Sequence, residues 1–238
     1  MEVTSLYVEP DIDAAPSVPP ALEAIDLFKI YHSGPVETVA LRGLDLVIEQ
    51  GELVALLGPS GCGKSTFLAL AGGLDQPSAG EIRAFGRPLG RLDEQELATY
   101  RARDIAIVFQ QDNLWPDLSA ERNVRLALRL AGRPGSPIEA RSALAEFGLA
   151  DRATARAGDL SGGEQQRVAI AAAAAREARL VLCDEPTGEL DLANERLVTD
   201  ALRRLRDHHG ATIVVVTHST HLADACDRTI TLRDGRLT

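Results

Sequence analysis

A short apolar run that leads into a glycine-rich loop is the feature that most constrains the fold of this chain. Leu53–Leu57 is continuously apolar and stops at Gly58, as expected of a strand buried in a parallel sheet. Residues 58–66 follow with the pattern GxxxxGK[ST], and Lys64–Gly72 has the composition of a helix. Because strand, loop and helix occur in this order, the sequence predicts a phosphate-binding loop and disfavours a chance glycine-rich turn.

The residue types of this loop suit a chain of phosphates. Its glycines lack the Cβ atoms that would hold the backbone away from a ligand, and the following helix directs its positive end toward the loop. We predict that Lys64 contacts the β- and γ-phosphates of a nucleotide and that Ser65 coordinates Mg²⁺. The predicted phosphate-contacting residues are Gly58, Pro59, Ser60, Gly61, Cys62, Gly63, Lys64, Ser65 and Thr66.

A second apolar run ends in two acidic residues. Leu180–Asp184 reads as a buried strand that ends in Asp184, and Glu185 follows it directly. Ligands of open α/β folds bind at the carboxyl ends of the strands, so both carboxylates are expected near the phosphate loop. We predict that Asp184 holds Mg²⁺ through water and that Glu185 acts as general base. The alternative, that these residues only cap a strand, is disfavoured by the loop upstream.

Composition sets broad limits on the class of protein. The chain has 238 residues, of which 45% are hydrophobic, so it can form one large domain with a substantial core. No apolar run approaches the roughly 18–20 residues that span a bilayer, and we expect the protein to stay in the cytoplasm. The net charge of −10 argues weakly against a nucleic-acid partner, because phosphate backbones attract basic surfaces.

The order of the elements predicts an α/β fold. Apolar runs at residues 53–57, 105–109, 180–184 and 212–217 alternate with helical segments, as in a mostly parallel sheet covered on both faces. Residues 44–49 and 230–232 read as further strands. We predict helices at 64–72, 93–103, 119–131, 137–147, 162–176 and 195–208. Residues 1–20, rich in proline and acids, are predicted to form a disordered tail ahead of a domain at 21–238.

One more run narrows the class of protein. Leu160–Arg167 reads LSGGEQQR, and together with the two motifs above it resembles the ATP-binding cassette (ABC) ATPases. The resemblance covers the chain from about residue 21 to its end. It implies the ABC-ATPase variant of the P-loop NTPase fold, with additional antiparallel strands and a helical subdomain inserted at about residues 111–165. It also implies ATP as substrate and Mg²⁺ as cofactor.

The resemblance assigns roles to further residues. Gln110 matches the glutamine that touches Mg²⁺ or the attacking water, and His218 matches the histidine that contacts the γ-phosphate. Asp191 matches an aspartate that crosses the dimer interface, and Tyr31 matches the aromatic residue that stacks on adenine. The signature residues Ser161, Gly162 and Gly163 would contact the ATP held by a second subunit. The resemblance therefore implies an ATP-bridged dimer, either with a second copy or with a similar subunit.

Several stretches are similar to one subgroup of the family, the LolD and MacB type with its FtsE-type relatives. Among them are residues 36–46, 89–103 and 108–114. This similarity implies an integral-membrane permease partner of the MacB or FtsX kind and a location on the cytoplasmic face of the membrane. The groove formed by residues 110–118 would receive the permease, with Trp115 either in that groove or in the core. An ATPase that regulates a cell-wall hydrolase through an FtsX-like partner remains an alternative.

Soluble members of the family form another alternative. Genome-maintenance ATPases place long coiled coils between the phosphate loop and the signature, which the spacing here is too short to contain, and an iron–sulfur assembly ATPase fits the subgroup similarity less well. Some positions depart from the usual pattern, and residues 119–124 read SAERNV where the family often has TALENV. Ala172 stands where arginine is usual, and Glu189 stands where asparagine or alanine is common.

Overall fold

The computed structural model describes residues 18–34 and 36–238. Most of the predicted disordered tail, residues 1–17, lies outside the described residues, and the extent of the domain stays a prediction. Where the described chain begins, the carbonyl oxygen of Pro19 accepts a hydrogen bond of 2.7 Å from Nε2 of Gln50. Within the described ranges we find no helix whose length and apolar content would let it span a bilayer.

The described residues form strands and helices that alternate over most of the chain. In chain order the strands are β1 (Leu22–Ser33), β2 (Val36–Ile48), β3 (Leu53–Leu57), β4 (Ala79–Ala84), β5 (Arg87–Pro88), β6 (Ile105–Val108), β7 (Leu180–Asp184), β8 (Thr212–Val216), β9 (Arg228–Arg233) and β10 (Arg236–Leu237). The α-helices are α1 (Lys64–Ala71), α2 (Glu94–Arg103), α3 (Ala120–Leu130), α4 (Pro137–Glu146), α5 (Gly162–Ala175), α6 (Leu192–His209) and α7 (Thr220–Asp224).

A six-stranded sheet forms the centre of the molecule, with the order β10-β9-β3-β8-β7-β6. All of its neighbouring strands are parallel except the terminal pair β9 and β10. The side chains of consecutive residues in its strands lie on opposite faces of the sheet, and they belong to two different hydrophobic cores. Ile213 and Val215 of β8 pack with α3–α6, whereas Val214 and Val216 pack with α1 and the second sheet. The prediction of a mostly parallel sheet covered on both faces is confirmed.

A second, antiparallel sheet has the order β2-β1-β4-β5. The sequence patterns predicted neither β1 nor β4 and β5. In β1 the buried residues are Leu22, Ala24 and Leu27, so the two-residue alternation breaks after Ala24. The break coincides with a register shift against β2 and with a positive φ of 43° at Asp26. A bulge therefore hides the period on which strand prediction relies.

The segment between β6 and α5 is mainly helical. Ser119 caps α3 and Ser136 caps α4, each through its side-chain oxygen, and both helices lie close to the positions predicted for them. Their apolar faces pack on α5 in one cluster, where Val124, Leu144 and Ile170 are fully buried. Both helices fall within the predicted subdomain, whose boundaries of about 111–165 stay a prediction.

Candidate active site

The glycine-rich loop joins the end of β3 to the beginning of α1, as the sequence predicted. Gly61 and Gly63 have φ values of 78° and 108°, in a region that side chains with a Cβ rarely adopt. Gly63 is the N-cap of α1. The first amide groups of a helix have no partner within it, so those of α1 are free to bind an anion at the loop.

Two glycines of the loop lie against backbone atoms of other segments. A Cβ atom on Gly58 would lie 2.2 Å from the carbonyl oxygen of Leu232 in β9. One on Gly63 would lie 2.4 Å from the carbonyl oxygen of Ala40 in β2. Neither neighbour is a flexible side chain that could move aside. The backbone of both sheets therefore packs closely against the loop and restricts its conformation.

The side chain of Lys64 folds back over the loop. It is only 9% exposed, and its Nζ donates hydrogen bonds to the carbonyl oxygens of Gly58 at 2.8 Å and Pro59 at 3.0 Å. A buried ammonium group is held where phosphate oxygens would meet the loop. Ser65 and Ser60 line the adjoining cleft, Pro59 lies at the exposed tip of the loop, and Thr66 is half-buried in α1.

The predicted catalytic residues line the same cleft. It has a volume of about 590 Å³, and its lining includes Gly58, Ser60, Lys64, Ser65, Gln110, Asp184, Glu185 and His218. Oε2 of Glu185 lies 2.9 Å from Nδ1 of His218 and also accepts a hydrogen bond of 3.3 Å from the backbone N–H of His218. Glu185 has a φ of 48°, a left-handed conformation that turns the chain sharply after β7.

A second cleft, of about 480 Å³, contains the signature residues and Asp191. Ser161 caps α5 in a reciprocal capping box with Glu164, so the first turn of α5 is fixed in place. A Cβ atom on Gly163 would lie 2.6 Å from Oδ1 and 2.9 Å from Cβ of Asn194 in α6. Asp191 accepts a hydrogen bond of 2.8 Å from the backbone of the same asparagine and caps α6.

Comparison with known proteins identifies the family. The model described as ABC transporter matches residues 41–188. The chain belongs to this family. It is 44% identical over 218 residues to the lipoprotein-releasing system ATP-binding protein LolD of Geobacter metallireducens, which covers 91% of this chain and 97% of that protein. It is also 44% identical over 227 residues to the LolD of Anaeromyxobacter dehalogenans, covering 94% of this chain and 95% of that protein.

Solved structures of the ABC family show the same fold. A dimeric, post-hydrolysis state of an ATP-binding cassette bound to ADP and Pi matches with a TM-score of 0.83 and 37% identity. The match covers 91% of this chain and 96% of that one. A second dimeric structure, of a bacterial ABC transporter cassette, matches with a TM-score of 0.81 and 39% identity over the same shares. The predicted ABC-ATPase fold and the resemblance to the LolD type are confirmed.

The cleft of this ABC cassette offers oxygen ligands of the kind that Mg²⁺ prefers. The hydroxyl group of Ser65, the carboxylates of Asp184 and Glu185 and the carboxamide of Gln110 all line it. The described residues contain no group of three or more His, Cys, Asp or Glu side chains that could enclose a metal ion. Mg²⁺ suits such a site, because it keeps several waters and is usually held by one or two protein groups together with substrate phosphates.

Tyr31 does not line either cleft. Its side chain is 41% exposed on β1, and its hydroxyl group donates a hydrogen bond of 3.1 Å to Oδ2 of Asp75. The Nζ atom of Lys29 lies 4.9 Å from the centre of the ring and 2.6 Å from Oδ1 of Asp75. A stacking role for Tyr31 in this ABC cassette stays a prediction.

Two residues of the site were not assigned a role by the sequence. Gln166, buried in α5, donates hydrogen bonds of 3.0 Å and 2.7 Å to the carbonyl oxygens of Phe109 and Gln110. Asn113 bonds both backbone groups of Phe109, at 2.7 Å each. The chain that carries Gln110 is therefore fixed to the signature helix. Gln166 lies inside the LSGGEQQR run, which is the one signal that could have indicated it.

Proposed function

We propose that this chain is the ATP-binding and ATP-hydrolysing subunit of a membrane transporter of the LolD type. The observation that carries the proposal is the pairing of Glu185 with His218 at 2.9 Å in the cleft that also contains Lys64 and Asp184. The named relatives support it, because two of them are ATP-binding proteins of lipoprotein-releasing systems. They favour a transporter over the soluble alternatives.

ATP binds with its phosphates on the glycine-rich loop. The amide groups at the beginning of α1 and the ammonium group of Lys64 neutralise the β- and γ-phosphates. Ser65, Gln110 and Asp184 would hold Mg²⁺, with Asp184 acting through water, and the ion would neutralise charge on the phosphate oxygens. Tyr31 stacks on the adenine.

Hydrolysis uses Glu185 as general base. Glu185 accepts a proton from a water molecule while the oxygen of that water bonds to the γ-phosphorus. The bond between the γ-phosphorus and the bridging oxygen breaks, and ADP and inorganic phosphate are released. His218 keeps the carboxylate in place through its ring and its backbone N–H, and contacts the γ-phosphate.

The complete site requires two copies of the cassette. Among the described residues, the two clefts share Gln110 and Gln111 and have otherwise separate linings. As the family resemblance implies, Ser161, Gly162 and Gly163 serve the ATP held in the cleft of a second copy, where the positive end of α5 meets the γ-phosphate. Asp191 lies beside them and contacts the partner copy. ATP binding closes the dimer, and hydrolysis opens it.

The permease contacts the groove between α3, α5 and the chain after β6. This groove is lined by Leu114, Trp115, Leu126, Leu130 and Ala172 among others. Trp115 is 66% exposed, so it belongs to the surface and the alternative of a core residue is wrong. The permease is of the kind that LolD-type systems use, and the MacB-like or FtsX-like partner remains a prediction. Binding to it places the ATPase on the cytoplasmic face of the membrane.

Phosphate release from the purified chain with saturating ATP and Mg²⁺ tests the chemical assignment. We expect Glu185→Gln to bind ATP, to lose about 10²–10⁴-fold in kcat, and to elute as a dimer with ATP in gel filtration. Lys64→Ala should lose ATP binding. Glu139→Gln makes the same change of side chain on α4, outside both clefts, and should hydrolyse ATP normally. Unchanged hydrolysis by Glu185→Gln would show that another group is the base.

A second experiment tests the membrane partner. Tagged Glu185→Gln protein with ATP is used to capture proteins from detergent-solubilised native membranes, which are then identified by mass spectrometry. We expect an integral-membrane permease, and we expect its recovery to fall when Trp115→Ala is added. Recovery of soluble proteins alone would contradict the transporter assignment.

A further inference from the structure

Glu189, one of the positions where the sequence departs from the usual pattern, contacts both glutamines that follow β6. It lies in the exposed loop between β7 and α6. Its Oε2 accepts a hydrogen bond of 2.5 Å from Nε2 of Gln111, and its Oε1 accepts one of 3.4 Å from Nε2 of Gln110. A single carboxylate thus joins the loop before Asp191 to the segment that contains Gln110.

This contact determines how the carboxamide of Gln110 is oriented. A carboxylate can only accept hydrogen bonds, so the nitrogen of the carboxamide must face Glu189 and the oxygen must point away from it. Nε2 of Gln110 also lies close to Gly188 in the same loop, since a Cβ atom added there would be 3.2 Å away.

The oxygen of a carboxamide is the atom that binds a hard cation, and the nitrogen cannot do so. Gln110 lines both clefts, and Glu189 lines the cleft with the signature residues. A carboxamide that is free to turn over presents either atom, because the two have nearly the same shape. The carboxylate of Glu189 accepts a hydrogen bond on the Asp191 side and so prevents the carboxamide from turning over. The oxygen of Gln110 is then directed to the cleft that contains Ser65 and Asp184.

We propose that Glu189 is a positioning residue for the cation site: it holds the nitrogen of Gln110 on the loop before Asp191 and so presents the oxygen of Gln110 to Mg²⁺. The inference rests on the proposed function, in which Gln110 is a ligand of Mg²⁺. Glu189 does not itself bind the cation in this arrangement; it is a hydrogen-bond partner of the ligand Gln110 and lies in a different loop. Groups that orient a metal ligand in this way typically contribute about 10–100-fold to metal affinity or activity.

The test measures cation affinity directly. Mn²⁺, which replaces Mg²⁺ and has an electron paramagnetic resonance signal when free, is titrated into the full-length protein with a non-hydrolysable ATP analogue. Because Glu189 is exposed and one of its bonds is long, we expect Glu189→Ala to weaken Mn²⁺ binding by about tenfold, the lower end of that range. The affinity for the analogue in the presence of a chelator should not change.

Asp112 provides a matched control for charge. It is an exposed carboxylate in the same cleft as Glu189, but no described hydrogen bond links it to Gln110 or Gln111. Its φ of 60° is one that asparagine tolerates, so Asp112→Asn removes one negative charge without backbone strain. We expect Mn²⁺ affinity to stay close to that of the wild type. An equal loss in Asp112→Asn and Glu189→Ala would show a general charge effect and overturn the inference.

A background variant tests the route through Gln110. Gln110→Ala should itself weaken Mn²⁺ binding, and adding Glu189→Ala to it should have little further effect. A tenfold loss that persists in the Gln110→Ala background overturns the inference, as does weaker binding of the analogue without cation. Wild-type protein that fails to bind the analogue and Mn²⁺ at all would instead refute the proposed function. Binding that depends on Lys64 but not on Glu189 preserves the function and refutes only the inference.

Discussion

The two signature glycines give a sharp test of how α5 and α6 pack. Gly162 and Gly163 are consecutive residues in the first turn of α5, yet their surroundings differ. A Cβ atom on Gly163 would lie 2.6 Å, 2.9 Å and 2.9 Å from Oδ1, Cβ and Cγ of Asn194. One on Gly162 would lie 3.2 Å from Cδ2 of Leu190, the end of a flexible side chain.

The expected magnitude follows from two opposing terms. Alanine in place of glycine in a helix gains up to about 1 kcal/mol from backbone entropy and helix propensity. At Gly163 the added methyl group also overpacks the contact with Asn194, at a cost of about 1–3 kcal/mol. The first term is common to both positions. The free energy of unfolding of Gly163→Ala should therefore be about 1–3 kcal/mol lower than that of Gly162→Ala.

Urea unfolding followed by circular dichroism measures both variants. The Asn194→Gly background removes all three close atoms, so the penalty of Gly163→Ala should largely disappear there, as in a double-mutant cycle. Equal unfolding free energies for Gly162→Ala and Gly163→Ala would refute the reasoning. So would a penalty at Gly163 that is unchanged in the Asn194→Gly background.

Three further variants test other parts of the structure. Gly58→Ala places a methyl group 2.2 Å from a backbone carbonyl oxygen of β9, and urea unfolding should show a loss of more than about 2 kcal/mol. Tyr100→Phe removes the buried hydroxyl group that donates a 2.7 Å bond to the carbonyl oxygen at the end of α1; the same assay should show a loss of about 1–2 kcal/mol. The backbone N–H of Ser161 and the side chain of Arg152 lower the pKa of Glu164. The resulting stability is present above the unfolded pKa of about 4.3 and is lost as pH falls through the lower folded pKa. Thermal unfolding of Glu164→Gln should therefore depend less on pH below about 4.3 than that of the wild type.

The elements predicted correctly from the sequence are those whose pattern depends only on burial. The central strands are short, mainly apolar runs, of which β3 stops at a glycine and β7 ends in an acid, and α1 and α5 follow motifs with a fixed local structure. Among the predicted helices, only the last differs from the structure by more than one residue at an end. α6 begins at Leu192, three residues before the predicted start at Glu195, because the side chain of Asp191 caps it there. α7 begins after a cap from Ser219. It has only five residues, which are too few to show a periodic pattern in the sequence.

The residues of the candidate site also fall into those that local sequence patterns predict and those that they do not. Lys64, Asp184, Glu185 and His218 follow buried strands, and the strand order brings them to one cleft because parallel strands share an edge. From the sequence, Glu189 was recognised only as a residue at a position where asparagine or alanine is common. Its hydrogen bonds reach residues 78 and 79 positions away, on a segment whose path depends on the packed helices. A contact of this kind cannot be read from local patterns.

Gln166 has a consequence for energy transfer within one chain. Its carboxamide ties the backbone at Phe109 and Gln110 to α5, and therefore ties one edge of the phosphate cleft to the helix that presents the signature residues. Thermodynamic linkage is reciprocal: if a molecule bound at the segment after β6 changes the affinity of α5 for its own ligand, that ligand changes the affinity for the molecule by the same factor. The hydrogen bonds of Gln166 are thus a direct physical link between the two clefts of one chain.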